Sequence, residues 1–219
     1  MSPAPGAAVM LSPRAGEVFG ELWSSVFGGG PGSPGSVLVC SAGVGEGATT
    51  VACGLALAGA AAGSRVALAD LNVRRPGVGG ALRLSETDGD GVRAVLAGRA
   101  EPSEAARRLG PHGLDVLPVG PADGAQRAPD AERAGALLDD LRRRYERVVV
   151  DAAPVNPHPD AGLLAGLVDG VVLVARCGRT PREALGRARR RLDAAGARVL
   201  GVVLNGRTYP LPAALYDRL

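Results

Sequence analysis

Residues 41–50 read Ser-Ala-Gly-Val-Gly-Glu-Gly-Ala-Thr-Thr, and they lie between an apolar run at 37–41 and a helical stretch at 49–62. Glycines let backbone N–H groups turn toward a phosphate, and the N-terminus of the following helix adds the positive end of a dipole. A glycine-rich loop that joins a strand to a helix is therefore typical of a phosphate-binding loop. A plain glycine-rich turn remains the alternative, because Ala48 stands where such a loop carries its lysine.

The loop supplies most of the candidate nucleotide-binding residues. They are Gly43, Val44, Gly45, Glu46, Gly47, Ala48, Thr49 and Thr50. Among them, Thr49 has the position of the hydroxyl that binds Mg²⁺ in loops of this kind.

The missing lysine should lower the rate of phosphoryl transfer more than the affinity for nucleotide. The chain contains no lysine at all, and its basic side chains are all arginines. A lost charge-assisted hydrogen bond weakens binding by roughly 1.5–3 kcal/mol, whereas one preorganised donor contributes on the order of 10²–10³ in rate. We therefore expect binding to survive on backbone amides and Mg²⁺, and phosphoryl transfer to be slow.

Two aspartates end apolar runs downstream of the loop. Asp70 closes the run 66–70, and Asp151 closes the run 148–151. Ligands bind at the carboxyl ends of the strands in open α/β sheets, so both acids are candidates for a metal site with Thr49. For each acid taken alone, a helix cap is the simpler interpretation. Two such acids downstream of one glycine-rich loop favour a nucleotide site.

Apolar runs and helical stretches alternate from residue 36 onward. The predicted strands are 37–41, 66–70, 116–119, 148–151, 171–175 and 199–204, and the predicted helices are 49–62, 131–145 and 181–195. Continuous valine-rich runs are typical of strands that are covered on both faces. The pattern predicts an α/β fold with three layers, in which helices cover both faces of a doubly wound, mostly parallel sheet.

The first 35 residues differ in character from the rest. Residues 1–15 are rich in Pro, Ala and Gly and predict a disordered tail, whereas 16–27 have the apolar spacing of an amphipathic helix. Residues 28–35 predict a Gly/Pro linker, which leaves 36–219 as the phosphate-binding domain. The apolar face of the helix must be buried either on its own domain or on a neighbouring subunit.

Composition narrows the class of protein. The 219 residues carry a net charge of +3, which does not by itself indicate nucleic acid as a partner. The three cysteines have no metal or disulfide spacing, which fits reduced thiols in a cytoplasm. No signal peptide and no apolar run of membrane-spanning length is seen, so we expect any membrane association to depend on a partner.

Several segments together resemble the bacterial tyrosine kinases, a branch of the deviant-Walker ATPases that includes the MinD and ParA proteins. They are the loop, the segment with Asp70, Asn72, Arg74 and Pro76, the strand ending at Asp151, and the segments 113–121, 169–174 and 201–205. The resemblance implies a P-loop NTPase fold, ATP or ADP with Mg²⁺, and catalytic positions at Asp70, Asn72 and Asp151. It also implies nucleotide contacts from Arg74 and an adenine contact from Asn205.

The same resemblance implies a cellular setting. Members of this family act in exopolysaccharide or capsule export, with a membrane polysaccharide co-polymerase whose cytoplasmic tail activates the kinase. The 16–27 helix resembles the helix that packs between subunits of a ring, which predicts a homo-oligomer. The expected location is the cytoplasm, beside the membrane that holds the partner.

The chain departs from the family pattern at its chemistry. Ala48 replaces the loop lysine, Asn72 replaces a second acid, and the only tyrosines are Tyr145, Tyr209 and Tyr216. These changes predict a catalytically weakened kinase or a pseudokinase that regulates its partner. Two alternatives stay open: an active tyrosine autokinase in which Arg74 or Arg75 replaces the lysine, and a positioning ATPase of the MinD or ParA kind.

Overall fold

The computed structural model describes residues 11–30, 32–84, 91–110, 113–121 and 130–206. Its strands are β1 (Ser36–Ser41), β2 (Val66–Asp70), β3 (Arg107–Leu109), β4 (Leu114–Leu117), β5 (Arg147–Asp151), β6 (Gly170–Arg176) and β7 (Val199–Asn205). Its helices are α1 (Pro13–Phe27), α2 (Ala48–Ala61), α3 (Val78–Ala81), α4 (Val92–Leu96), α5 (Pro102–Ala105), α6 (Ala131–Arg144), α7 (Asp160–Ala165) and α8 (Arg182–Ala194).

The strands form one sheet in the order β3-β4-β2-β5-β1-β6-β7. Every neighbouring pair is parallel except β3 with β4. Because β1 lies near the middle and the chain winds outward in both directions from it, the sheet is doubly wound. The predicted α/β fold is therefore confirmed.

Helices cover both faces of the sheet, which gives three layers. Val37 and Val39 of β1 pack in one apolar cluster with α1 and α2, while Leu38 and Cys40 pack in the other with α6, α7 and α8. Successive side chains of a strand point to opposite faces, so an uninterrupted apolar run serves both clusters.

Two strand predictions need correction. The antiparallel edge strand β3 was not predicted, and its three residues are too few to show a periodicity. The strand predicted at 116–119 runs instead from Leu114 to Leu117. Pro118 has no backbone N–H to continue a ladder, and the buried Asp115 hides the apolar pattern at the start of the strand.

Helix α1 begins three residues earlier than predicted. Ser12 caps it and accepts a hydrogen bond from Ala15 N at 3.4 Å, so residues 13–15 are helical rather than part of a disordered tail. Residues 1–10 lie outside the described part of the chain.

The apolar face of α1 is buried on its own domain, against α2. The side chain of Phe19 covers Gly54, and that of Trp23 covers Gly59. A methyl group at either glycine would lie about 2.3 Å from the nearest ring carbon, so the two rings rest directly on the helix backbone. Of the two burial sites left open by the sequence, the structure shows the intramolecular one.

None of the helices in the described ranges combines the length and hydropathy needed to cross a bilayer.

Candidate functional site

The loop between β1 and α2 opens into a cavity at the carboxyl ends of the central strands. The cavity has a volume of about 560 Å³. Of the residues predicted to bind a nucleotide, it is lined by Val44, Gly45, Glu46, Gly47, Ala48, Thr49, Thr50 and Asn205, and Asn72 lines it as well. The sheet edge therefore brings together most of the predicted site, as strand-end geometry requires.

Two glycines give the loop its shape. Gly45 has a φ of +77° and Gly47 a φ of +97°, in the left-handed region that L side chains rarely adopt. A Cβ at Gly47 would also lie 2.0 Å from Nδ2 of Asn205. That amide donates a hydrogen bond to the carbonyl of Glu46 at 2.9 Å, so Asn205 also holds the loop itself.

Helix α2 starts at Ala48, directly inside the loop. The amides of Ala48, Thr49 and Thr50 belong to its first turn, where N–H groups have no intrahelical acceptor. The loop therefore offers a row of amides and the positive end of a helix dipole to an anion. The Ala48 side chain adds no charge.

Thr49 is hydrogen-bonded to Asp151, the acid predicted to form a metal site with it. Its hydroxyl donates to Oδ2 of Asp151 at 2.7 Å. Oδ1 of Asp151 is buried and has no hydrogen-bond partner among the described residues. An unsatisfied buried acceptor of this kind is unfavourable unless a further group binds to it.

Asp70 lies beside Asp151 in the β2–β5 register, but its surroundings differ. Its Oδ1 accepts from the amide of Asn72, and its Oδ2 accepts from the amides of Gly77 and Val78, at 3.0–3.1 Å. Both oxygens thus hold the loop that follows β2. Asp70 supports the site by shaping this loop, while Asp151 has an oxygen left to bind a ligand.

The two buried carboxylates disfavour each other's ionisation. Burial raises the pKa of Asp70 to about 6, although three backbone amides act in the opposite direction. Burial and the neighbouring charge of Asp70 raise the pKa of Asp151 well above its usual value, against the hydrogen bond from Thr49. A cation in the cavity would relieve this repulsion.

The residues present fit a magnesium ion whose coordination shell is completed by oxygens from water and phosphate. No group of three His, Cys, Asp or Glu side chains in the described ranges is placed to hold a metal alone. Mg²⁺ commonly keeps several waters and binds through one or two carboxylates plus substrate phosphates. The unpaired Oδ1 of Asp151 and the adjacent Thr49 hydroxyl fit that pattern.

The structure does not place Arg74 in this cavity. Its Nε donates to Oδ2 of Asp160 at 2.7 Å, in an ion pair whose acid is buried. Arg75 lines the cavity instead. Gly43 does not line the cavity, and a Cβ at this position would meet Oε1 of Glu46 at 3.0 Å.

Sequence reasoning missed Arg176, which lines the cavity and donates from Nη1 to the carbonyl of Gly45 at 3.2 Å. A signal was present. Arg176 is the last residue of β6, so the strand-end rule that singled out Asp70 and Asp151 applies to it too.

Tyr145 lies far from the cavity, at the amino ends of the strands, where it follows α6 and precedes β5. Its hydroxyl donates to Oδ2 of Asp115 at 2.8 Å, and burial together with this bond raises the pKa of Tyr145 to about 12. Tyr209 and Tyr216 lie outside the described residues.

The chain is similar in sequence to bacterial tyrosine-protein kinases. The chain is 31% identical over 173 residues to the tyrosine-protein kinase YwqD of Bacillus subtilis, covering 78% of this chain and 72% of that protein. It is 27% identical to the tyrosine-protein kinase CpsD of Streptococcus agalactiae, covering 74% of this chain and 70% of that one. It is also 30% identical to the succinoglycan biosynthesis transport protein ExoP of Rhizobium meliloti, covering 77% of this chain and 22% of that protein.

Solved structures of similar proteins have the same fold as this chain. The kinase domain of VpsO superposes with a TM-score of 0.78 at 28% identity, covering 89% of this chain and 95% of that domain. A MinD protein of Pyrococcus horikoshii, solved with Mg-ADP, has the same fold with a TM-score of 0.68 at 21% identity, covering 84% of this chain and 76% of that one. No protein-family model matches the chain. On the identity and coverage of its relatives, and on the shared fold, the chain belongs to the bacterial tyrosine-protein kinase family.

Proposed function

We propose that this chain is a nucleotide-binding regulator of polysaccharide biosynthesis and export, with kinase chemistry that is much weakened. The observation that carries the proposal is the contrast within one loop. Gly45 and Gly47 turn the loop with positive φ, and the hydroxyl of Thr49 is bonded to Asp151, which supports a phosphate and magnesium site. At the position of the loop lysine, Ala48 provides no charged side chain.

The residues present divide into those that bind and those that would accelerate transfer. The first-turn amides of α2 would bind the phosphate oxygens, and Asn205, already bonded to the loop, would lie against the base. Thr49 and Asp151 would hold Mg²⁺, which neutralises phosphate charge when it is bound. Ala48 and Asn72 stand at the positions where the family pattern has a cation and a second acid.

The weakening has an expected size. Loss of one preorganised donor in a site that excludes water lowers the rate by on the order of 10²–10³. Loss of one charge-assisted hydrogen bond lowers affinity by roughly 10- to 150-fold, the equivalent of about 1.5–3 kcal/mol. We therefore propose that nucleotide is still bound, with weaker affinity than a loop lysine would give, and that turnover is very slow.

The proposal includes a membrane partner and a location. We propose that the chain works beside the cytoplasmic face of a membrane, bound to a polysaccharide co-polymerase. The match to ExoP supports this, because the aligned region is only 22% of that protein, so a domain of this kind occurs within a much longer transport protein. Assembly into a homo-oligomer is part of the same proposal, through surfaces other than the buried apolar face of α1.

The competing proposal is an active autokinase in which an arginine replaces the lysine. Arg74 is a poor candidate, since Asp160 already pairs with it. Arg75 lines the cavity and keeps this alternative open.

Calorimetric titration with Mg-ADP and Mg-ATP, followed by an autophosphorylation assay with radiolabelled ATP, tests the proposal. We expect binding that is lost with EDTA, and little incorporated label. The Ala48→Lys variant should bind more tightly and turn over at least 10²-fold faster, whereas Ala48→Met is a control that adds side-chain length without charge. Rapid label incorporation by the wild type, or no gain on restoring lysine, would contradict the weakened-kinase part.

A further inference from the structure

The guanidinium of Arg176 contacts the phosphate-binding loop. Nη1 donates to the carbonyl of Gly45 at 3.2 Å, from the carboxyl end of the strand next to β1. The same side chain lines the cavity that Thr49 and Asn205 line. A positive charge therefore stands at the mouth of a loop whose own cation position holds Ala48.

The backbone around Arg176 is tied in place. Its amide donates to the hydroxyl of Thr180 at 2.8 Å, and in the β6–β7 register it is paired with Asn205. The next amide, that of Cys177, donates to the carbonyl of Asn205 at 2.9 Å. The side chain is exposed, so its guanidinium is presented to the cavity from a fixed strand end.

Two other arginines of the described ranges, Arg74 and Arg93, are bonded elsewhere. Arg74 is paired with Asp160. Arg93 donates to the carbonyls of Val73, Gly120 and Pro121. Arg75 lines the cavity from the segment after β2, whereas Arg176 is bonded to the loop itself.

We infer that Arg176 provides the cationic contact to the phosphate chain of the bound nucleotide, in place of the absent loop lysine; this rests on the proposed nucleotide function. In the structure its guanidinium donates to a neutral carbonyl. A phosphate oxygen is a stronger acceptor, and the planar fork of arginine can bind two such oxygens at once. Because Arg176 approaches from outside the loop, it serves binding and does not restore the position from which a loop lysine assists transfer.

The chain offers a matched control. Arg179 lies in the turn after β6, is exposed, and does not line the cavity, and its replacement changes the net charge equally. We would measure the dissociation constants of Mg-ADP and of inorganic tripolyphosphate for Arg176→Ala, Arg176→Gln and Arg179→Ala, by displacement of a fluorescent ADP. Thermal unfolding checks that each variant is folded, and two variants at position 176 guard against the failure of one.

We expect both Arg176 variants to bind Mg-ADP and tripolyphosphate at least tenfold more weakly, and Arg179→Ala to stay within about twofold of the wild type. In the Ala48→Lys background, Arg176→Ala should have a smaller effect, because lysine then shares the contact and the two changes are coupled. Equal affinities of the Arg176 and Arg179 variants would overturn the inference. So would loss of ADP binding with unchanged tripolyphosphate binding, which would place Arg176 on the base or ribose. Failure of the wild type to bind either ligand would overturn the nucleotide function itself, and this inference with it.

Discussion

Replacing Gly59 with alanine tests whether α1 docks on its own domain. Gly59 lies inside α2, where alanine is ordinarily more favourable than glycine by about 1 kcal/mol. The new methyl group would lie 2.3 Å from the ring carbons of Trp23, more than 1 Å inside ordinary contact distance. Overpacking of this kind destabilises by about 1–3 kcal/mol.

A second helical glycine supplies the control. Gly135 lies in α6, and a methyl group there meets nothing within 4 Å. We expect Gly135→Ala to raise the free energy of unfolding by up to about 1 kcal/mol. Gly59→Ala should therefore fall below Gly135→Ala by about 1–3 kcal/mol in urea unfolding.

A double variant isolates the contact. In a Trp23→Ala background, which itself destabilises by about 3–5 kcal/mol, the ring is gone and Gly59→Ala should become stabilising like Gly135→Ala. If Gly59→Ala already stabilises the wild type, Trp23 does not rest on this helix, and the apolar face of α1 must be buried elsewhere, for example on another subunit.

Two further predictions concern the acids and the tyrosine. Asp151→Asn should raise the unfolding temperature of the nucleotide-free protein at pH 8 and raise it much less at pH 4, while Mg-ADP binding is lost. The pKa of Asp151 is raised in the folded state, so the wild type loses stability as pH rises through that pKa, whereas the variant does not. Scanning calorimetry at both pH values measures this difference. An equal gain in unfolding temperature at pH 8 and pH 4 would contradict the prediction. Tyr145→Phe should lower the free energy of unfolding by about 1 kcal/mol, through the lost bond to Asp115. It should leave Mg-ADP affinity unchanged, because Tyr145 lies at the opposite end of the strands; a weaker affinity in titration would show that the two ends are coupled.

Local pattern was enough to predict the layers of this protein. Valine-rich runs predict strands that are buried on both faces. The glycines of the loop at 41–50 predict a turn, and in the structure Gly45 and Gly47 have the left-handed backbone that glycine allows. The same local rule placed Asp70 and Asp151 at one edge, since parallel strands end together. Periodicity also identified the amphipathic character of α1.

Which acid shapes a loop and which can bind a ligand depends on contacts between segments that are distant in sequence. Asp70 and Asp151 end similar strands, yet the carboxylate of Asp70 is occupied by amides from residues 72–78, while Asp151 keeps an unpaired oxygen beside Thr49. The pairing of Arg74 with Asp160 spans 86 residues, and that of Arg176 with Gly45 spans 131.

From the sequence alone, the chain's alternation of apolar runs and helices determined an α/β sheet with a glycine-rich loop and two acids at its edge, because these features depend on neighbours within a few residues. Only the tertiary structure decided which arginine reaches the loop and where α1 buries its face. Those choices depend on which strand ends and helix faces meet in space, and residue spacing does not encode that.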